Sequence, residues 1–424
     1  LKKEVIFISP WLWTDGKHVG MPTLYYTMQG FLRNGYNVKL VIGSNTEEVV
    51  FDHDGIKIYQ FAIRRYDKSE EFDAFKSIYE RRANKLLWLR EKTQWHEKAS
   101  SMLAELSAVY NPALIYAVSP MGIEAAKKCS EIPQIWRFMG VNLMSNEKGE
   151  VELSSILKHL FEYLSFVRLS RNSQRRRPLI VITDDGTRGD SLIQAMRFDY
   201  RSLFFSKNGV EDFSKKHVVP EDSLSNEHLQ MYEFISKLRT DGVTVVISTN
   251  RFAEWKRNDL AIKTLETLVL DRKRKDVFFL FVGNGPLLNS MKDRVKDSVG
   301  NEAAFIGSVN RSTMGLWLGL SDIYISMMDL GQLGNTTFEA CLYGLTPVLR
   351  NNGMTTVFFD KKSAKLVEDS DEAATAIEYL IDNPDVKTAL GTAARNLILS
   401  KLGTWDERID NEIRWIEEQS KGGL

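Results

Sequence analysis

Residues 321–349 read SDIYISMMDLGQLGNTTFEACLYGLTPVL, and the order of apolar runs, glycines and helix formers in this stretch decides the fold. The run Ile323 to Met328 is short and tightly bounded, as a buried strand is. A glycine-containing turn follows, and Asn335 to Tyr343 then reads as a short helix closed at Gly344, before a second apolar run from Pro347 to Leu349. Strand, turn, helix and strand make a βαβ unit. The turn leaves Gly334, Asn335 and Thr336 at the N-terminus of a helix whose first amides have no internal partner, which is an anion site. Glu339 lies one turn further on, where a carboxylate can accept two hydroxyl hydrogen bonds from a ribose outside the strand end. Glycine turns before helices also serve plain packing, so the stretch alone leaves both uses open.

Composition bounds what surrounds it. At 424 residues the chain exceeds one ordinary core, and two α/β domains of similar size are the natural reading. Apolar residues make up 43% and charged residues 26%, which is the balance of a soluble globular protein. The 56 basic and 56 acidic residues cancel, so no global field argues for nucleic acid as a partner. Cys129 and Cys341 lie in unrelated segments and form no metal-ligand spacing, as expected of small buried residues in a reducing compartment. No run approaches a membrane span, and the N-terminal residues lack the pattern of a secretory signal, so a cytoplasmic location is expected.

Working back to the start, Val5 to Ser9 reads as a strand, Thr23 to Asn34 as a helix stopped by Gly35, and Asn37 to Ile42 as the next strand, the opening of a doubly wound sheet. The intervening loop carries Trp11, Trp13, Asp15, His18 and Gly20 at the end of the first strand, where such sheets bind ligands. Further strands are expected at Gly55 to Ile63, Leu114 to Val118, Gln134 to Phe138 and Leu179 to Thr183, with a long helical region from Asp73 to Val109. Ile156 to Val167 reads as an amphipathic helix with Ile156, Leu160, Phe161, Leu164 and Val167 on one face, followed by the basic run RNSQRRR. Such a run suits a solvated loop beside a packed helix, or contact with anionic lipid. Asp184 and Asp185 form an acidic pair without further ligands, which a capping turn explains.

FFSKNGVEDF, residues 204–213, ends a strand in Asn-Gly, and the polar sequence after it places the domain boundary near residue 212. The domains are therefore 1–212 and 213–424. Glu227 to Leu238 and Val243 to Ser248 open the second as helix and strand. In the loop that follows, Arg251 and Lys256 flank a turn between a buried strand and an amphipathic helix, a position at which two cations suit a diphosphate or simply meet solvent. FFLFVGNGPLLNSM, residues 278–291, gives strand, Gly283-x-Gly285-Pro and helix. AFIGSV, residues 304–309, gives a strand ending near Val309, with a helix near Ser312 to Leu320.

Four of these segments in order, the Arg251 to Lys256 loop, V-G-N-G-P, F-I-G-S-V and G-N-T-x-x-E-A-x-x-x-G-x-x-P-V, resemble the donor-site signature of glycosyltransferase family 4, retaining nucleotide-sugar enzymes of the GT-B fold. The resemblance implies two Rossmann-like doubly wound domains facing across a cleft, with the donor on the second domain, the acceptor on the first, and a final helix about 404–416 returning to the first. It implies that Arg251 and Lys256 bind the diphosphate, that Gly283, Gly285 and Val309 border the donor, that Gly334, Asn335 and Thr336 meet the phosphates, and that Gly20 approaches the reacting sugar. It further implies transfer of a hexosyl group to an acceptor hydroxyl with retention, with no metal and no cofactor beyond the nucleotide sugar. Arg251, Lys256 and Glu339 are the residues expected to carry the reaction. The acceptor is left open among glycan, lipid-linked and polymer substrates, and contact with the inner membrane face stays open too.

The sequence departs from the family twice. Gly331 stands where the family's first signature glutamate would be, eight residues before Glu339, with Asp329 as a neighbouring carboxylate. Met139 stands where a histidine is common, with Arg137 as a substitute cation. These departures keep two alternatives in view: a GT-B subunit that binds a partner or sugar without catalysis, and a nucleotide-sugar epimerase.

Overall fold

Alternating apolar strands and amphipathic helices build two units, Leu1–Gly209 with Trp405–Leu424, and Val210–Thr404. The computed structural model describes the chain except residues 1, 2, 11, 12, 15–17, 20, 21, 45–47, 64–77, 140, 142, 144–150, 159, 172–175, 211–223, 310, 330–332, 354 and 422–424. Trp11, Asp15, Gly20, Asp212 and Gly331 therefore lie outside the described residues, as does the start of the expected helical region at 73–77.

The first unit runs β1 (Lys3–Ile8), β2 (Trp13–Thr14), β3 (His18–Val19), α1 (Pro22–Arg33), β4 (Tyr36–Ser44), β5 (Val49–His53), β6 (Ile56–Ala62), α2 (Ile78–Tyr110), β7 (Leu114–Val118), α3 (Ser119–Ala126), β8 (Gln134–Phe138), α4 (Leu153–Lys158), α5 (Leu160–Ser170), β9 (Leu179–Thr183), α6 (Gly189–Ala195) and β10 (Ser202–Ser206). Its main sheet has the order β10-β9-β8-β7-β1-β4-β6-β5. Strands β7, β8 and β9 are buried along their whole length, because helices cover both faces of a parallel sheet. Ile6, Ile8, Ile115, Ile180 and Ile182 meet residues of α2, α3 and α5 on one face. On the other, Val5, Phe7, Tyr116 and Val181 meet α1 and the closing helix through Ile409, Ile413 and Ile416.

Two features correct the sequence reading. Strand β5 is an addition, antiparallel to β6. Its turn, Asp54-Gly55, has positive φ at both residues (48° and 80°), the geometry that tight hairpins need and that Asp-Gly signals. The other correction concerns α5. Leu160 and Leu164 do not face the core; Phe166 and Leu169 do. Phe166 packs 5.3 Å from Phe138 and 5.9 Å from Phe198, ring centroid to centroid, and this aromatic cluster sets the helix rotation in place of the leucines.

The second unit contains α7 (Asn226–Thr240), β11 (Thr244–Thr249), α8 (Asn258–Glu266), β12 (Val277–Val282), α9 (Leu288–Ser298), β13 (Ala303–Gly307), α10 (Arg311–Gly319), β14 (Ile323–Ser326), α11 (Asn335–Leu342), β15 (Thr346–Arg350), β16 (Lys365–Val367), α12 (Ser370–Asp382) and α13 (Pro384–Lys401). All pairings in its sheet are parallel, in the order β13-β12-β11-β14-β15-β16. The order reverses between β11 and β14, so the crevice outside their carboxyl ends is the switch point at which open α/β sheets take ligands. The stretch 321–349 forms β14, α11 and β15, and Gly344 ends the helix with φ 82°.

The closing helix α14 (Trp405–Lys421) belongs to the first unit. Trp405 stacks on Tyr26 at 4.9 Å. Gly30 lets Ile409 in, since a Cβ there would lie 2.1 Å from Ile409 Cγ2. Both units are doubly wound α/β domains.

Candidate functional site

Three backbone segments meet at the carboxyl ends of β11, β12 and β14. The turn after β12 lies directly against the loop after β11: Asn250 N donates to Val282 O at 3.1 Å, Phe252 N to Asn284 O at 3.0 Å and Leu287 N to Phe252 O at 3.1 Å. This approach explains both glycines of the V-G-N-G-P segment. A Cβ on Gly283 would stand 2.1 Å from Asn250 O, and one on Gly285 2.4 Å from Phe252 O. Gly283 also has φ 140°, outside what side chains tolerate well. The glycines thus hold the Arg251 loop over the strand ends. Val309 lies just past β13, half-buried against the core of the unit.

Within that loop Arg251 is exposed, and among the described residues no hydrogen bond or ion pair engages its guanidinium. Lys256 is half-buried, with Nζ 2.7 Å from Met328 Sδ and 4.0 Å from the Trp255 ring centroid. Asp329 N donates to Trp255 O at 3.1 Å, so the Lys256 turn is tied to the end of β14.

The first turn of α11 is fixed from below. Its N-cap, Gly334, contributes no capping side chain, and Asn335 and Thr336 follow as the first helical residues, half-buried. Thr336 Oγ1 is 3.2 Å from the hydroxyl of Tyr324, a fully buried residue of β14. Burial pushes the Tyr324 phenol up, while the hydroxyls of Thr336, Thr337, Ser326 and Thr249 oppose that rise. The phenol stays neutral and acts as a fixed dipole under the helix terminus. Glu339 is half-buried one turn along, and its carbonyl accepts from Tyr343 N at 3.1 Å.

Sequence reasoning missed the ion network beside this site. Asp329, offered as a neighbour that stands in for the absent glutamate, accepts from Arg257 Nη1 at 3.2 Å and Arg350 Nη1 at 2.5 Å. Arg257 sits in the left-handed region (φ 50°) and forks onto Asp259 at 3.0 and 3.1 Å. Hydrogen bonding to Asp259 is the main reason its guanidinium is held above the ordinary arginine value. Asp329 is therefore committed to two cations and braces the Lys256 turn.

Arg137 does not stand in for a sugar-binding histidine. It is fully buried, with Nη2 donating to Thr183 Oγ1 at 2.8 Å and Nη1 to Glu412 Oε2 at 3.3 Å. Glu412 also pairs with Arg408 and accepts from the Tyr116 hydroxyl at 2.6 Å. Burial alone would raise the Glu412 carboxyl, but Arg408 and Arg137 overcome it and hold it below the usual range. Arg137 is an anchor for α14.

Asp184 pairs with Lys207, and Asp185 accepts from Thr187 N at 3.1 Å and Oγ1 at 2.6 Å, as a capping turn requires. Among the described residues no group of three His, Cys, Asp or Glu is placed to hold a metal ion, and no helix is long and apolar enough to cross a membrane. Both cysteines are buried and free.

Residues 233–397 match the family model described as Glycosyl transferases group 1. Solved structures resemble the whole chain. Sucrose-phosphate synthase from Thermosynechococcus elongatus aligns with a TM-score of 0.70 at 12% identity, covering 100% of both chains. A glycosyltransferase from Rickettsia africae aligns at 0.62 with 15% identity over 99% of each. HepE of Anabaena, captured with UDP and glucose, aligns at 0.62 with 15% identity over 97% of this chain and 99% of its own. No curated protein sequence matches. The protein thus has the GT-B architecture and is glycosyltransferase-like, and the group 1 match spans every second-unit segment described above from Arg251 to Glu339.

Proposed function

We propose that this protein is a glycosyltransferase that takes a sugar from a nucleoside-diphosphate donor held at the strand ends of the second unit and passes it to an acceptor hydroxyl with retention. The observation that carries the reading is the convergence of the Arg251 to Lys256 loop, the Gly283 to Gly285 turn and the N-terminus of α11 at the switch point of a sheet whose sequence matches group 1 glycosyltransferases. In this reading Arg251, Lys256 and the amides opening α11 take the diphosphate, and Glu339 takes the ribose hydroxyls. The acceptor oxygen bonds to the anomeric carbon as the bond to the diphosphate breaks; the nucleoside diphosphate leaves with the electron pair, and the acceptor proton passes to it. Preorganised cations and helix amides offset the charge that develops on the leaving group, so the reading requires no metal. UDP appears with HepE, which makes uridine nucleotides the first donors to try.

The test is turnover. The protein is incubated with a panel of nucleotide sugars and candidate acceptors, and nucleoside diphosphate release is followed by chromatography. The reading expects release that depends on acceptor, with a glycosylated product of unchanged anomeric configuration. An isomerised sugar nucleotide would identify an epimerase, and tight binding without any release would identify a non-catalytic subunit.

A further inference from the structure

The rotation of α5 that buries Phe166 and Leu169 leaves Leu160 and Leu164 in water, and Leu153 and Leu157 of the preceding α4 are exposed as well. Leu153, Leu157, Leu160 and Leu164 are 71%, 73%, 46% and 51% exposed. They recur at intervals of four, three and four residues, Leu153 and Leu157 one turn apart on α4 and Leu160 and Leu164 one turn apart on α5. Scattered exposed leucines need no explanation, but two such pairs on consecutive helices do. The same spacing in sequence reaches Arg168 on α5 and Arg171 just past its end, both exposed, so cations follow the apolar stripe. Arg168 approaches Glu124 only at 3.8 Å, and its side chain remains 72% exposed. Lys127 Nζ reaches Arg168 O at 3.5 Å, which brings another cation to the same end. Across residues 153–177 the sequence places six Lys or Arg against the single acid Glu162, in a chain whose 56 bases and 56 acids cancel overall.

We infer that this face of the first unit seats the protein on an anionic lipid surface. The leucines enter the boundary between headgroups and acyl chains, and Arg168 and Arg171 remain at the level of the lipid phosphates, with their aliphatic stems along the apolar stripe. Charge decides between a lipid surface and a second copy of the chain. A symmetric contact through this stripe brings two strongly basic segments together, which opposes association, whereas an anionic bilayer offers opposite charge and an apolar phase at once. None of these residues belongs to the second unit, so the inference stands apart from the donor reading.

Sedimentation with lipid vesicles tests it. The protein is expected to bind vesicles containing about one-third phosphatidylglycerol at least tenfold more strongly than vesicles of phosphatidylcholine alone, and to dissociate as salt screens the attraction. Leu157→Glu with Leu164→Glu should lower binding to the anionic vesicles about tenfold or more, since a charge must then enter the apolar boundary. Arg168→Glu with Arg171→Glu should remove the preference for anionic lipid. Because all four side chains are exposed, thermal unfolding and nucleoside diphosphate binding should be unchanged in both variants. Equal binding by the leucine variant and the unmutated protein would overturn the inference. So would indifference to anionic vesicles combined with a dimer that the leucine substitutions dissociate, which would assign the face to a second copy.

Discussion

Under the proposed function, Glu339 is the side chain on which nucleotide selectivity turns. In that proposal Glu339→Ala loses a charged acceptor to two hydroxyls, so nucleoside diphosphate affinity should fall about tenfold or more with the fold intact. Discrimination against the 2′-deoxy nucleotide should fall in the same variant, and paired titrations with ribo and deoxy forms measure it. Gly283 makes a different kind of prediction. With φ 140° and Asn250 O where a Cβ would go, Gly283→Ala must move the Arg251 loop, and should cost both stability and diphosphate affinity in thermal-shift measurements. The placement of Arg251, Lys256, Gly283 and Gly285 just past the ends of β11 and β12 was legible in the sequence, because each pair follows an apolar run directly. The brace on Asp329 was not. Its partners Arg257 and Arg350 lie 72 and 21 residues away, and no local pattern announces a contact of that kind.

Among elements, the βαβ unit of residues 321–349 was readable from its apolar runs and its glycines, since each boundary has a local cause. The rotation of α5 was not, because leucine and phenylalanine satisfy the same periodicity and only the partners Phe138 and Phe198 decide which turns inward. Helix α14 was expected from its length, but the charge that holds it was invisible. Buried Glu412 faces Arg137, Arg408 and the Tyr116 hydroxyl, all from within the first unit. Replacing it by alanine leaves two buried guanidinium groups uncompensated and should cost about 3 to 5 kcal/mol of that unit's stability in denaturant unfolding. The pH dependence has a definite sign. The folded carboxyl lies below its unfolded value, so its contribution is complete above the unfolded pKa near 4.3 and is lost as pH falls through the folded value. Acid unfolding of the first unit should therefore shift upward in pH in Glu412→Gln, where the contribution is already gone.

At the scale of the molecule, the chain leaves its first unit at Gly209 and returns to it at Trp405, so the C-terminal helix completes a core begun by the N-terminal strands. Removing residues 405–424 uncovers Tyr26, Phe7 and Tyr116 and should lower the first unit's transition in calorimetry while leaving the second unit's transition in place. A single transition that drops as a whole would show that the units do not unfold separately. The central claim is that the second unit holds a nucleoside diphosphate through Arg251 and Lys256. Calorimetric titration of a nucleoside diphosphate and its parent nucleoside into the unmutated protein, Arg251→Ala and Lys256→Ala tests that most directly. The account predicts that each variant loses about tenfold or more in affinity for the diphosphate, the worth of one charge-assisted hydrogen bond, and nothing for the nucleoside. Equal losses for both ligands, or affinity for the diphosphate that neither substitution changes, would contradict it.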